Sequence, residues 1–158
     1  MIDRMPDTRE QLIADIGRAV SEFQDATDEV DEAGAARLGV NRTDLRCLNA
    51  LNRRGALTAG ALAAEVGLST GATTIAIDRL ARQGYVERVR ADQDRRRITI
   101  TLTPAATALI EELWGPIEAE SHELLSRRSQ AELKAIREFL REGTKFQTDH
   151  AARIRHEA

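Results

Sequence analysis

The chain has 158 residues and a formal net charge of −3, with 42% hydrophobic, 31% charged and only 3% aromatic residues, which suits a single helix-rich domain with an aliphatic core. No apolar run approaches the roughly 20 residues needed to span a bilayer, and the polar opening MIDRMPDTRE carries no expected secretory leader. One cysteine, Cys47, excludes an internal disulfide and fits a reducing cytoplasm.

The first element expected is a helix over residues 8–33. Thr8 can cap it, and Leu12, Ile16, Val20, Phe23, Thr27 and Val30 recur at steps of three and four, with Gly34 and Gly39 bracketing its exit. Residues 42–53 form a second helix with Leu45, Leu48 and Leu51 inward. Thr58 then caps a short helix whose Leu62, Ala63 and Val66 share a face, and Gly67 supplies a sharp turn. Leu68 plugs the space between this helix and the next, which Ser69 caps. In that next helix Thr73, Ala76, Ile77 and Leu80 fall at i, i+3, i+4, i+7 and make the buried stripe. The opposite stripe is Gly71, Thr74, Ile75 and Asp78, a small-residue face able to approach a base-pair edge closely.

A two-stranded ribbon follows. Tyr85, Val86 and Val89 mark one strand; Ile98, Ile100 and Leu102 alternate with Thr99, Thr101 and Thr103 in the other. Between them, Asp92-Gln93-Asp94-Arg95-Arg96-Arg97 reads as a polar tip. Three consecutive arginines are superfluous in a bland hairpin and useful in a wing that seeks phosphates or a minor groove. The charge distribution agrees. Residues 42–97 hold eleven arginines against six acidic residues, while the remainder holds twelve basic against twenty acidic. A basic reading head thus sits between acidic flanks, and screening limits the reach of those flanks to about 10 Å.

After the ribbon, Thr103-Pro104 is a cap followed by proline at the first helical position. The helix it starts carries Leu109, Ile110, Leu113, Ile117, Leu124 and Leu125, and Gly115-Pro116 is expected to bend or interrupt it. Ser129 caps a last helix through Leu133, Ile136, Phe139, Leu140 and Phe146. Two terminal segments with apolar faces on either side of a reading head are best buried by pairing across a two-fold axis.

The run from Val40 to Pro104 resembles the MarR (multiple antibiotic resistance regulator) family of bacterial transcription factors. The resemblance rests on Thr43-Asp44 with Leu48 and Leu51, Leu62-Ala63, Gly67-Leu68-Ser69 and Asp78-Arg79-Leu80. It continues through Gly84-Tyr85-Val86, Asp94-Arg95-Arg96 and Leu102-Thr103, all in order and at the family's spacing. It implies a mainly α fold with a small β-hairpin wing, a winged helix-turn-helix over 41–103, and dimerisation helices at 8–33 and 104–155. The partners it implies are a palindromic double-stranded operator, a second copy of the chain and a small-molecule effector, with no membrane. The DNA contacts expected are Ser69, Thr70, Gly71, Thr74, Ile75, Arg95, Arg96 and Arg97. By resemblance Asp94 orients the arginines, and Arg96 is the one that enters the minor groove. Ile75 stands where several family members carry a polar residue; it either folds onto the wing or touches a thymine methyl.

The family also implies an effector crevice between the dimer helices and the reading head, for which Phe23, Arg46, Leu51 and Trp114 are the candidates; Trp114 has packing of the dimer core as its alternative. Some relatives sense metals or peroxides. His122, near Glu118, Glu120 and Glu123, and His150, near Asp149, lack an HxxxH or CxxC partner and read as solvated helix residues, as does His156. Cys47 lies beside inward leucines and reads as a small core residue. Neither a phosphate loop nor a nucleophile signature suggests an enzyme, and no cofactor is expected. The reading is a dimeric DNA-binding regulator, a repressor released by a small molecule. A metal- or redox-responsive regulator of the same fold and a winged-helix protein-interaction module without DNA are its alternatives.

Overall fold

The computed structural model describes residues 8–91 and 94–157, with side chains described from 8 to 90 and from 98 to 155. In chain order the elements are α1 (Arg9–Leu38), α2 (Arg42–Arg54), α3 (Ala59–Val66), α4 (Thr70–Arg82), β1 (Val86–Ala91), β2 (Asp94–Leu102), α5 (Pro104–Ser126) and α6 (Gln130–Glu157). The architecture is mainly helical with one antiparallel hairpin. Two compact units divide the chain, Met1–Leu109 and Ile110–Ala158.

In the first unit the helix starts are written in the sequence. Thr8, Asn41, Thr58 and Ser69 each accept a backbone N–H from three residues on, satisfying a donor the helix cannot use itself. α1 runs five residues past the expected exit at residue 33. Gly34 is buried within it, and Ala35, Ala36 and Leu38 are strong helix formers that carry it onward. The stop is Gly39, left-handed at φ 64°, with Val40 N–H donating to the Ala35 carbonyl. Gly67 ends α3 in the same way at φ 65°, with Leu68 N–H donating to Ala63.

The core is aliphatic: Leu45, Leu48 and Leu51 of α2, Leu62 and Val66 of α3, Ala76, Ile77 and Leu80 of α4, Val86 and Ile100 of the hairpin. Leu68 is half-buried beside them. Cross-strand pairs run from Val86↔Leu102 to Arg90↔Ile98 and put Val86, Ile100 and Leu102 on one face. Leu57 adds a one-residue third strand, exchanging both backbone hydrogen bonds with Ile100 at 3.0 and 2.7 Å. Between Arg90 and Ala91 the register slips, so that Ala91 pairs with Asp94 rather than Arg97. Arg95, Arg96 and Arg97 are the residues of β2 passed over.

The second unit holds most of α5 and all of α6. The break expected at Gly115-Pro116 does not interrupt α5. Proline's fixed φ is itself helical, and Glu112, whose carbonyl loses its partner, lies on an exposed turn open to water. Ser129 begins α6 with a reciprocal cap: its hydroxyl accepts from Glu132 N–H, and the Glu132 carboxylate accepts from Ser129 N–H at 2.7 Å. Those bonds hold the Glu132 carboxyl below its ordinary range.

Candidate nucleic-acid interface

α3 and α4 meet at 108° across a three-residue turn, the geometry of a helix-turn-helix. Thr73, Ala76, Ile77 and Leu80 of α4 are buried, while Gly71, Thr74, Ile75 and Asp78 are exposed. A side chain grafted on Gly71 would meet nothing within 4 Å, so this end of the helix faces open space. Ile75 is 61% exposed.

At the N-terminus of α4 the Ser69 hydroxyl accepts from Ala72 N–H at 3.2 Å, which leaves its own O–H for an outside acceptor. No acidic residue stands in the first turn, so the positive end of the helix dipole and the first free N–H groups face outward uncompensated. Thr74 donates its hydroxyl to the Thr70 carbonyl at 2.9 Å, and Thr73 to Ser69 at 2.9 Å.

Three contacts hold the α3–α4 pair in place, and none was expected from the sequence. Arg79 of α4 donates through Nε and Nη2 to both carboxylate oxygens of Asp44, at 2.5 and 2.6 Å. The Asp44 side chain is 1% exposed and that of Arg79 35%. This two-point pair raises the Arg79 pKa above its ordinary value. Arg46 donates to the Val66 carbonyl at 2.5 Å, satisfying the C-terminal end of α3. On the outer side, Asp78 pairs with Arg88 of β1, tying α4 to the hairpin. Asp44 could have been found: it sits on the same stripe as Leu48 and Leu51, and a carboxylate on an apolar stripe needs a buried partner.

The wing arginines are placed differently from the sequence reading. β2 begins at Asp94, so Arg95, Arg96 and Arg97 are strand residues rather than the tip. The side chains of Asp94, Arg95, Arg96 and Arg97 lie outside the described side chains, and Asp92 and Gln93 outside the described residues.

Of the effector candidates, Phe23, Arg46 and Leu51 belong to the first unit and Trp114 to the second. Leu51 is 2% exposed and has no surface to offer a ligand, and the Arg46 guanidinium is committed to Val66. Phe23 is 70% exposed on α1, and the half-buried Trp114 belongs to the other unit.

Cys47 is buried, and its thiol is pushed up to about 11, first by burial and then by the Asp44 carboxylate, against the opposing pull of Arg46 and Arg79. A thiol so protonated is a poor nucleophile at neutral pH. Iodoacetamide at neutral pH is expected to label native Cys47 at least about a hundredfold more slowly than the urea-unfolded chain, because alkylation must wait for opening. Comparable rates would mean an accessible thiolate. Because the folded pKa is raised, the associated stability is complete below the ordinary thiol value and lost as pH rises toward about 11. His122 is exposed, His150 stacks on Phe146 with ring centroids 6.0 Å apart, and the His156 side chain is not among those described. Among the described residues no three His, Cys, Asp or Glu side chains are grouped to hold a metal, and no single helix is long and apolar enough to cross a membrane.

The MarR family profile matches residues 38–97, the span from the end of α1 to the wing arginines. The chain is 34% identical over 124 residues to the uncharacterized HTH-type transcriptional regulator YcgE of Bacillus subtilis, covering 78% of this chain and 80% of that one. It is 25% identical to the multiple antibiotic resistance protein MarR of Salmonella typhimurium, covering 81% and 89%. In fold it is similar to a MarR family protein from Bacillus stearothermophilus, with a TM-score of 0.65 at 22% identity, over 90% of this chain and 99% of that one. With its capped recognition helix, its hairpin wing and these relatives, the chain belongs to the MarR family of winged-helix transcriptional regulators.

Proposed function

We propose that the chain is a homodimeric, sequence-specific DNA-binding repressor that acts in the cytoplasm on a palindromic operator and is released by a small-molecule effector. The observation that carries the DNA reading is the outward face of α4: exposed, small at Gly71, free of acid in its first turn and capped by a hydroxyl with a proton to spare. On this reading Ser69 and Thr70 hold phosphates at the helix N-terminus, and Gly71 lets the backbone approach the groove. Thr74, whose proton is already given to Thr70, accepts from a base amino group. The passed-over arginines of β2 serve the wing: Arg96 in the minor groove, Arg95 and Arg97 on phosphates, Asp94 orienting them.

The test is an electrophoretic mobility shift on DNA selected by the protein from a random pool, read at two salt concentrations. A protein that neutralises several phosphates weakens with a log–log slope of about −0.9 per contact. Arg96→Ala is expected to lose binding by on the order of 1–3 kcal/mol with unchanged far-ultraviolet dichroism. Enrichment of no sequence, or a shift indifferent to salt, would reduce the molecule to a protein-interaction module.

Ile75 gives a second, position-specific expectation. Its exposure suits contact with a thymine methyl. Operators with uracil in place of single thymines should include one that weakens the parent but leaves Ile75→Ala nearly indifferent. Equal losses in both proteins at every position would remove Ile75 from the readout.

A further inference from the structure

The carbonyl end of α1 is held by side chains from the far end of the recognition helix. Tyr85 Oη donates to the Leu38 carbonyl at 2.6 Å, and Gln83 Nε2 donates to the Gly39 carbonyl at 3.1 Å. Both acceptors lie where α1 has run out of its own N–H groups and where its dipole concentrates negative charge. The segment between the two donors is itself fixed. Gln83 caps α4, Tyr85 N–H donates to the Leu80 carbonyl at 2.9 Å, and Thr103 closes on it from the end of β2. The Thr103 hydroxyl donates to the Gly84 carbonyl at 2.8 Å, and its N–H to the Tyr85 carbonyl at 3.0 Å. Three residues, Gln83-Gly84-Tyr85, therefore join the last turn of α4, the root of both wing strands and the end of α1. Phenylalanine at 85 would keep the half-buried ring and lose only the hydroxyl that reaches the Leu38 carbonyl.

We propose that Gln83 and Tyr85 are positioning residues for DNA reading: together they latch α1 to the recognition helix and set the angle between them. An angular change of α1 is then passed directly to α4 and to the root of the wing. The inference rests on the DNA-binding and dimer readings above, since in a dimer that angle becomes the separation of two recognition helices. Neither residue touches the proposed DNA face, so their effect on binding is felt through geometry.

The latch is tested first without DNA. In the full-length protein, spin labels on Ser21→Cys in α1 and Thr74→Cys in α4 report the angle, with labelled chains diluted into excess unlabelled ones; the buried Cys47 stays unlabelled. Adding Tyr85→Phe and Gln83→Ala is expected to broaden the distance distribution, and an unchanged distribution would overturn the proposal. The second arm uses the operator selected by the parent and versions with one base pair added or removed between half-sites. The parent should lose affinity on the altered spacings by about tenfold or more, since helical phase is lost. The double variant, without the labels, should bind the parental spacing roughly two- to tenfold more weakly per lost hydrogen bond and discriminate less between spacings. Equal weakening at every spacing would also overturn it, because that is what a merely stabilising contact produces. A parent that selects no DNA defeats the functional reading, while the spin-label arm still decides the latch.

Discussion

Arg79→Met is expected to lower the unfolding free energy by about 3 kcal/mol or more, because it strands the Asp44 carboxylate in the core. Breaking a buried pair costs most when the remaining charge has no route to water. Asp44 has none, with a side chain 1% exposed, whereas Arg79 is about a third exposed. The reverse substitution, Asp44→Leu, should therefore cost less, about 1–2 kcal/mol, as the guanidinium turns outward and hydrates. Urea unfolding of both variants checks the ordering. Equal losses would mean that Asp44 is not desolvated. The pair braces α4 against α2, so surviving folded Arg79→Met protein should also bind DNA less tightly.

Removing residues 130–158 is expected to have the largest effect on function. The full chain should sediment at roughly twice its 17.5 kDa mass. The truncated chain should run as a monomer and bind operator on the order of a hundredfold more weakly, since two half-sites would no longer be engaged in one event. The argument is the apolar surface left in contact with water: Leu12, Ile16 and Phe23 on α1, Leu124 and Leu125 on α5, and Phe139, Leu140 and Phe146 on α6 are all exposed. In the second unit, Leu125, Leu133, Ile136 and Leu140 line an open groove of about 540 Å³, rimmed by Arg137 and Arg141. So much exposed aliphatic and aromatic surface on long helices is uncommon in a monomer. A truncated chain that remained dimeric would place the interface elsewhere.

What could be read from the sequence followed from local rules. The two faces of α4 came from its 3.6-residue period and its Ser69 cap, and both faces lie where that pattern put them. The caps at Thr8, Thr58 and Ser129 are likewise local chemistry. What stayed hidden was non-local or divided between competing signals. Asp44 and Arg79 are 35 residues apart, and no periodicity links them. Leu57 is a strand of one residue, too short to leave a pattern. Gly34 and Pro116 are breakers by propensity, yet α1 and α5 run through them because neighbouring residues favour the helix and only one backbone bond is lost at Pro116. The arginine run was legible as chemistry but not as a strand, since polar residues next to a turn look like the turn. The bond from Arg46 to the Val66 carbonyl, 20 residues away, likewise has no local signature.

The slip in the hairpin register divides the wing into a root and a free allowance of chain. The root is pinned by Ile100 to Leu57 and by Val86 opposite Leu102, whereas Arg95, Arg96 and Arg97 are passed over by the pairing. Substitutions or small length changes among those three residues are expected to leave the root's backbone pairing intact. Mutation can thus vary this segment with little disturbance to the paired root, while α4, packed on its inner face and clasped at Asp78 and Arg79, is far less free to vary. On the proposed reading of the arginines, the wing is where a lineage of these regulators can most readily acquire a new operator preference.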